Sequence, residues 1–128
     1  MKVLDFSVYY LFNILVVLTH DLAFSLIGLG CPAKKLALGL PFYGRDAKNP
    51  AQPYAQLIQA RSDQKNDDRI DGFAFNGPTT IKRKVDFAFA RQLSGVMIWE
   101  LGQDSARPEV SLLTTIRQRV QESRRIAD

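Results

Sequence analysis

Cysteine, histidine and tryptophan are nearly absent from this 128-residue chain, which contains one of each. The single cysteine, Cys31, excludes an intrachain disulfide and a cluster of thiolate ligands, and it leaves the redox compartment open. The single histidine, His20, stands beside Asp21, but adjacent residues point in different directions and no motif marks a nucleophile. We therefore expect a capping or surface role for this pair, and we predict no metal site and no cofactor.

An apolar run long enough to cross a membrane is also missing. Residues 6–19 (FSVYYLFNILVVLT) are uncharged and follow Lys2, but a spanning helix needs about 20 such residues. No small-residue cleavage site follows the run, as a signal peptide would require. We interpret residues 1–31 as a divergent segment with a buried strand and a helix, with a signal or anchor segment as the alternative, and we expect no membrane partner.

Positive charge is only slightly in excess over negative charge. Lys and Arg outnumber Asp and Glu by 17 to 13, for a net charge of +4. Much of this excess lies near the C-terminus in four arginines that alternate around a predicted helix: Arg117, Arg119, Arg124 and Arg125. Nucleic-acid binding would favour basic residues beside exposed aromatics. This pattern instead indicates a solvated helix face and no nucleic-acid partner.

Length and ordinary composition are typical of one globular domain, residues 1–128. Apolar runs predict strands at residues 3–10, 36–40 and 95–99. Helical periodicity predicts helices at 22–29, at 54–61, after a cap at Thr79 or Thr80, and after Pro108. The third helix should bury Ile81, Val85, Ala88, Phe89 and Leu93, and the last should bury Leu112, Leu113, Ile116 and Val120. Residues 46–77 read as a polar surface excursion, closed by a turn at Asn76 and Gly77.

Continuous apolar strands that alternate with helices indicate α/β architecture with a parallel sheet. In such sheets the ligand-binding groups gather where strands end and loops begin. Tyr43 and Arg45 follow the second predicted strand, Trp99 ends the third, and Glu100 follows it directly. We therefore expect these four side chains at the mouth of a pocket.

Three segments in this order resemble the C-terminal part of the glycoside hydrolase family 18 catalytic domain, the chitinase and chitinase-like family. The segment CPAKKLALGLPFYGR (31–45) resembles the seventh strand of that family's (β/α)8 TIM barrel with its lead-in. The segment DGFAFNGPTTIKRKVDFAFARQLSGVMIWELGQD (71–104) resembles the stretch through the eighth strand, and SLLTTIRQRV (111–120) the closing helix. The resemblance runs from about residue 32 to 128 and implies an incomplete barrel of about strands 6 to 8.

The resemblance also implies a ligand, a reaction and a location. Family members hydrolyse β-1,4-linked N-acetylglucosamine polymers, and the acetamido oxygen of the substrate is the nucleophile. Chitin or an N-acetylglucosamine oligosaccharide is the implied partner, and the implied location is extracellular. Tyr43 and Arg45 match sugar-bonding positions, and Trp99 matches an indole that stacks on a sugar ring. Glu100 and Asp104 match the polar tail of the motif, where they would position the loop or contact sugar hydroxyls.

The catalytic signature of the family, D-x-x-D-x-D-x-E, is absent from the sequence. The nearest imitation, DDRIDG (67–72), lies in the polar excursion, where we expect solvated acids. A calcium loop is disfavoured there because Arg69 stands where an oxygen ligand is needed. The stretch LDFSVYYLFN (4–13) resembles the family's sixth strand, which places Phe12 and Asn13 at degenerate positions that normally carry tyrosine and aspartate.

These departures predict a chitinase-like family 18 portion with no catalytic residue and no turnover by this chain alone. The alternative is a non-catalytic chitin-binding or carbohydrate-binding protein, and a degenerate fragment with neither property is a third hypothesis. Three strands leave two open sheet edges. The remainder of the barrel is therefore a further candidate partner.

Overall fold

The computed structural model describes residues 9–11, 14–17 and 19–127, with side chains from Thr19 onward. Within these ranges the strands are β1 (Tyr9–Leu11), β2 (Ile14–Val17), β3 (Leu36–Pro41), β4 (Tyr43–Gly44), β5 (Gln52–Pro53), β6 (Arg69–Ile70), β7 (Phe73–Ala74) and β8 (Gly95–Trp99). The helices are α1 (His20–Gly28), α2 (Tyr54–Leu57), α3 (Pro78–Ala90) and α4 (Leu112–Ala127). Phe12 and Asn13 lie outside the described residues, as does most of the predicted first strand.

The main sheet has the order β1-β2-β3-β8. β1 pairs antiparallel with β2, whereas β2, β3 and β8 run parallel. The parallel sheet and the strand β8 confirm two sequence predictions, and β3 extends one residue beyond the predicted end. β2 is an additional strand that we did not predict, since the apolar run continues without a turn signal to separate two strands.

Alternation along β3 divides the sheet into two faces. Leu36, Leu38 and Leu40 are fully buried on the face that α1 and α3 cover. The intervening Ala37 and Gly39 are small and lie on the opposite face. α1 and α3 therefore pack on the same face of the sheet, as helices do on the outer side of a barrel wall.

The excursion between β3 and α3 has a core of its own, which corrects the prediction of a polar surface segment. Apolar side chains scattered among its turn formers join the same cluster as Leu40: Phe42, Tyr54, Leu57, Ile58, Ile70, Phe73 and Phe75. The predicted helix at 54–61 is only the four-residue α2. The tyrosine hydroxyl of Tyr54 donates to the Val110 carbonyl at 2.7 Å and ties the excursion to the approach to α4. Burial raises the pKa of Tyr54.

The start of α3 is capped by side chains from the excursion, not by its own threonines. The cap is Gly77, whose N–H donates to Asp68 Oδ1 at 2.7 Å. The Thr79 N–H donates to Asn66 Oδ1 at 3.2 Å, and the Thr80 hydroxyl donates to Asp68 Oδ2. The predicted threonine cap is therefore wrong, and Asp68 is a half-buried structural acid, not a solvated one.

Gly77 is extended, with φ −78° and ψ 175°, so the turn predicted at Asn76 and Gly77 is wrong. The position nevertheless requires glycine because no side chain fits there. A Cβ at this position would lie 1.9 Å from the Lys65 carbonyl oxygen. The backbone of the excursion therefore passes directly against the start of α3.

The buried stripes of the two long helices are narrower than predicted. Ile81, Val85 and Ala88 are buried, but Phe89 is 42% exposed and Leu93 lies beyond the end of α3. On α4, Leu112 and Ile116 are buried and Leu113 is 41% exposed. Phe89 and Leu113 lie at the edges of the apolar stripes of their helices. At such an edge, burial depends on how close the neighbouring element lies.

The C-terminal arginines lie mainly on a solvent-exposed face, as predicted. Arg119 is the exception because its Nε donates to Asp86 Oδ1 of α3 at 2.6 Å. Its Nη1 also donates to Glu122 at 2.9 Å. This arginine therefore links the two long helices.

Candidate functional site

β3 and β8 end side by side and define one end of the sheet. Pro41 pairs with Trp99, and the Phe42 N–H donates to the Trp99 carbonyl at 2.8 Å. Ile98 packs against the same cluster as Leu40, so alternation places the Trp99 side chain on the opposite face of the sheet. Trp99 is 53% exposed. The strand therefore presents an accessible indole at its C-terminal end, where the Trp99–Glu100 peptide bond is cis.

Tyr43 and Arg45 come to this end of the sheet through β4. Phe42 and Gly44 are buried, and the alternate residues Tyr43 and Arg45 are half-buried and exposed. The Arg45 guanidinium lies over the Tyr43 ring, with Cζ 5.6 Å from the ring centroid, a distance at which the cation is attracted to the ring face. Tyr43 and Arg45 are therefore a stacked pair.

The backbone beneath this pair is fixed on two sides. Tyr43 pairs with Pro53 of β5. Arg45 exchanges two backbone hydrogen bonds with Ala74, each 2.8 Å. The side chains of the pair therefore extend from backbone that is hydrogen-bonded to two neighbouring segments.

Glu100 is exposed and begins the turn after β8. The Gln103 Nε2 donates to Glu100 Oε1 at 3.5 Å, which is a weak hydrogen bond. Gln103 Oε1 is buried without a hydrogen-bond partner. Gln103 is thus a neighbour of Glu100 that we did not predict. Its position three residues after Glu100 in the same turn could have indicated this contact.

Asp104 caps the last helix. Its Oδ1 accepts from the Leu112 N–H and its Oδ2 from the Leu113 N–H, both at 2.9 Å. Oδ2 also accepts from the Ser111 hydroxyl at 2.8 Å, while Ser111 Oγ accepts from the Thr114 N–H at 3.0 Å. Both carboxylate oxygens are engaged. The geometry therefore favours the loop-positioning role for Asp104 over contact with a sugar.

His20 lies away from this end of the sheet and beside Phe87. The two rings meet edge to face, with centroids 4.5 Å apart. Burial lowers the pKa of His20, and the nearby positive charge of Lys84 lowers it further. The cap of α1 is the neighbouring Thr19, whose hydroxyl accepts from the Leu22 N–H at 3.2 Å. His20 is therefore a packing residue at the helix start.

Cys31 packs half-buried against the cluster that contains Leu36 and Leu38. In the part of the chain that the structure describes, no three His, Cys, Asp or Glu residues converge as metal ligands. The same residues contain no helix with the length and apolar character needed to cross a bilayer.

The structure thus brings Tyr43, Arg45, Trp99 and Glu100 to the ends of β3 and β8 and of the short strand β4. We call these four residues the rim. The two degenerate positions, Phe12 and Asn13, fall outside the described residues. The assignment of the rim to a sugar stays a prediction.

Residues 19–104 match the model of the glycosyl hydrolases family 18. This match spans more than half of the chain, and the chain belongs to glycoside hydrolase family 18. The barrel portion that the sequence predicted is confirmed, since solved chitinases share the fold over most of this chain.

Individual relatives agree with the family match. Chitinase 1 of Aphanocladium album is 28% identical, with an alignment that covers 78% of this chain and 30% of that protein. The crystal structure of the family 18 chitinase ChiB from Flavobacterium johnsoniae is 33% identical with a TM-score of 0.70, and the match covers 79% of this chain and 33% of ChiB. The chain therefore spans about a third of the length of the relatives it matches.

A class V chitinase from Nicotiana tobaccum, solved in complex with NAG4, shares the fold at a TM-score of 0.62 and 19% identity. This match covers 77% of the present chain and 38% of the tobacco enzyme. Binding of N-acetylglucosamine oligomers therefore occurs among proteins of this fold.

Proposed function

We propose that this chain contributes part of the sugar-binding surface of a family 18 chitinase-like domain, and that the rim contacts a chitooligosaccharide. The observation that carries the proposal is the exposed indole of Trp99 at the C-terminal end of β8. In barrels of parallel strands this end is the one that carries active sites. An exposed aromatic face suits the C–H face of a pyranose, because it offers a large apolar area without a hydrogen-bonding requirement.

The other rim residues add polar contacts to the single N–H donor of the indole. Arg45 carries up to five N–H donors on a planar group, and sugar hydroxyl and acetamido oxygens are acceptors. Its stacking on Tyr43 limits the orientations of the guanidinium before a ligand arrives. Glu100 offers carboxylate oxygens to sugar hydroxyls, with Gln103 as a weak support. Indole and polar groups together would select an amphipathic ligand such as an aminosugar.

For the complete barrel we propose retaining, substrate-assisted hydrolysis of β-1,4 N-acetylglucosamine linkages in the extracellular space. The isolated chain should not turn over, because the D-x-x-D-x-D-x-E signature is absent from its sequence. That same absence supports the alternative, a non-catalytic chitin-binding protein. Release of N-acetylglucosamine products by the purified chain would overturn the prediction that the isolated chain is inactive. It would also overturn the alternative of a non-catalytic chitin-binding protein.

Trp99 makes binding directly observable because it is the only tryptophan. Titration of the chain with chitotetraose should shift the intrinsic fluorescence to shorter wavelength as a sugar ring covers the indole. Cellotetraose, which lacks acetamido groups, is the matched ligand control and should bind more weakly.

Substitution of Trp99 tests the site by calorimetric titration. Trp99→Ala should weaken chitotetraose binding by about tenfold or more, since a stacked aromatic contributes on the order of 1.4 kcal/mol. Trp99→Phe should retain part of the affinity. The control is Phe89→Ala, another partly exposed aromatic that lies outside the rim. Unchanged affinity in a folded Trp99→Ala protein would refute the sugar platform.

A further inference from the structure

Asn76 and Gly77 end the excursion just before α3, and an asparagine followed by a glycine is a chemically labile pair. Glycine has no side chain to hinder attack by its backbone nitrogen on the preceding side-chain amide. In this reaction the Gly77 nitrogen attacks Asn76 Cγ, and the new N–Cγ bond replaces the Cγ–Nδ2 bond. Ammonia leaves with the former Gly77 amide proton. Water then opens the cyclic imide at one carbonyl to give aspartate or at the other to give isoaspartate.

The backbone on both sides of Asn76 is fixed by Asp68. The Phe75 N–H donates to the Asp68 carbonyl at 3.0 Å, and the Gly77 N–H donates to Asp68 Oδ1 at 2.7 Å. Gly77 is buried, and its carbonyl accepts from the Ile81 N–H at 2.9 Å. Attack by the Gly77 nitrogen on Asn76 therefore requires the hydrogen bond to Asp68 Oδ1 to break first.

The charge of Asp68 also opposes the reaction in the folded chain. The attacking species is the deprotonated Gly77 nitrogen, and a carboxylate oxygen 2.7 Å away disfavours a second negative charge at that atom. The tetrahedral intermediate would then carry negative charge on Asn76 Oδ1. That oxygen is buried and has no hydrogen-bond partner among the described residues. An oxyanion at this position would therefore lack the donors that stabilise such a charge.

We propose that Asn76 is a deamidation site that the folded chain protects, and that its conversion to isoaspartate after unfolding prevents refolding. Isoaspartate adds a methylene group to the main chain immediately before Gly77. A single carbon added at Gly77 would already lie 1.9 Å from the Lys65 carbonyl oxygen, and overpacking of such a site is destabilising. The displaced backbone would also lose the Asp68 cap of α3. This inference goes beyond the proposed function and does not depend on sugar binding by the rim.

The first test compares deamidation of the 128-residue chain in neutral buffer with deamidation in guanidinium chloride at the same pH. The tryptic peptide 70–82 contains Asn76 as its single asparagine, so the mass gain of this peptide reports the site alone. We expect the conversion to be slower by about tenfold or more in the folded chain, because the reaction awaits local opening. Equal rates in the two solvents would refute the protection.

Substitutions in the folded chain test the role of Asp68, with circular dichroism to verify that each variant folds. Asp68→Ala should accelerate deamidation several-fold, and Asp68→Asn, which keeps an acceptor but no charge, should accelerate it less. Asp67→Ala removes an exposed neighbouring carboxylate, and Thr79→Ala removes a hydroxyl that donates to Asn66 at the same helix start. Neither control should change the rate. If Asp68→Ala does not fold, Asp68→Asn serves for the comparison, and a folded Asp68 variant no faster than the controls would contradict the proposal.

The second test follows refolding after the chain has been aged in guanidinium chloride. Aged chains should fail to recover the native circular dichroism spectrum on dilution, in proportion to the isoaspartate content measured by fragmentation of peptide 70–82. Asn76→Ala chains lack the reactive amide, and after the same treatment they should recover the spectrum in full. Aged wild-type chains that refold as completely as Asn76→Ala chains would overturn the proposed block to refolding.

Discussion

Asp104→Ala should destabilise the fold without a direct effect on ligand contacts. The carboxylate accepts two backbone N–H groups at the start of α4 and the hydroxyl of Ser111. Loss of a helix-capping side chain costs about 0.5–2 kcal/mol, and loss of a negative charge at a helix N-terminus costs about 0.3–1 kcal/mol more. We therefore expect a decrease of about 2 kcal/mol in the free energy of unfolding.

A loss of that size should lower the melting temperature by about 8 °C, since about 4 °C per kcal/mol applies to a chain of this length. Thermal unfolding followed by circular dichroism would measure it. Asp104→Asn should fall between wild type and Asp104→Ala, because the amide keeps one acceptor but no charge. Glu109→Ala is the control, since the side chain of this neighbouring acid is 66% exposed and forms a 3.4 Å ion pair with Arg107, worth about 0–1 kcal/mol. Its carbonyl, which accepts from Lys65, is kept in the variant.

Two results would refute the capping role. One is an Asp104→Ala protein that melts at the same temperature as Glu109→Ala. The other is an unchanged melting temperature together with lost chitotetraose affinity, which would move Asp104 from the helix start to the ligand.

Two further changes probe buried polar groups. Tyr54→Phe should cost about 1–3 kcal/mol in a urea titration, because it leaves the buried Val110 carbonyl without its donor, whereas Tyr43→Phe on the half-buried rim should cost less than about 0.5 kcal/mol. Burial lowers the Lys84 pKa from 10.5 to about 8 despite the nearby charge of Asp68, so between these values the unfolded chain binds more protons and stability should rise with pH. Lys84→Met should reduce the increase of the free energy of unfolding with pH between pH 8 and pH 10. An unchanged increase would contradict a lowered pKa for Lys84.

The sequence was most informative where local pattern alone decides the structure. The strands at Leu36–Pro41 and Gly95–Trp99 are short apolar runs next to glycine or proline, and both formed nearly as predicted. Their C-terminal ends then follow from parallel pairing, which brings Pro41 beside Trp99. For this reason the sequence could predict which strand ends lie side by side, whereas the role of the rim as a ligand site stays a prediction.

Distant contacts account for what sequence reasoning missed. The cap of α3 comes from Asn66 and Asp68, and no local pattern reveals that those side chains return to Gly77 and Thr79. The buried Tyr54 hydroxyl finds its acceptor at the Val110 carbonyl, 56 residues away in the chain. The exposure of Leu113 depends on how closely neighbouring elements approach α4. Hydrophobic periodicity along the helix carries no information on that distance.

The capping of α3 by Asp68 and Asn66 also bears on how barrel loops can be exchanged. Transplanting this excursion into another scaffold with a cut just before Gly77 would leave the acceptor side chains in the excursion. Their hydrogen-bond donors would stay behind in the first turn of α3. The transferable module instead extends through Thr80, because the first turn of the helix and the loop before it are completed by each other's atoms.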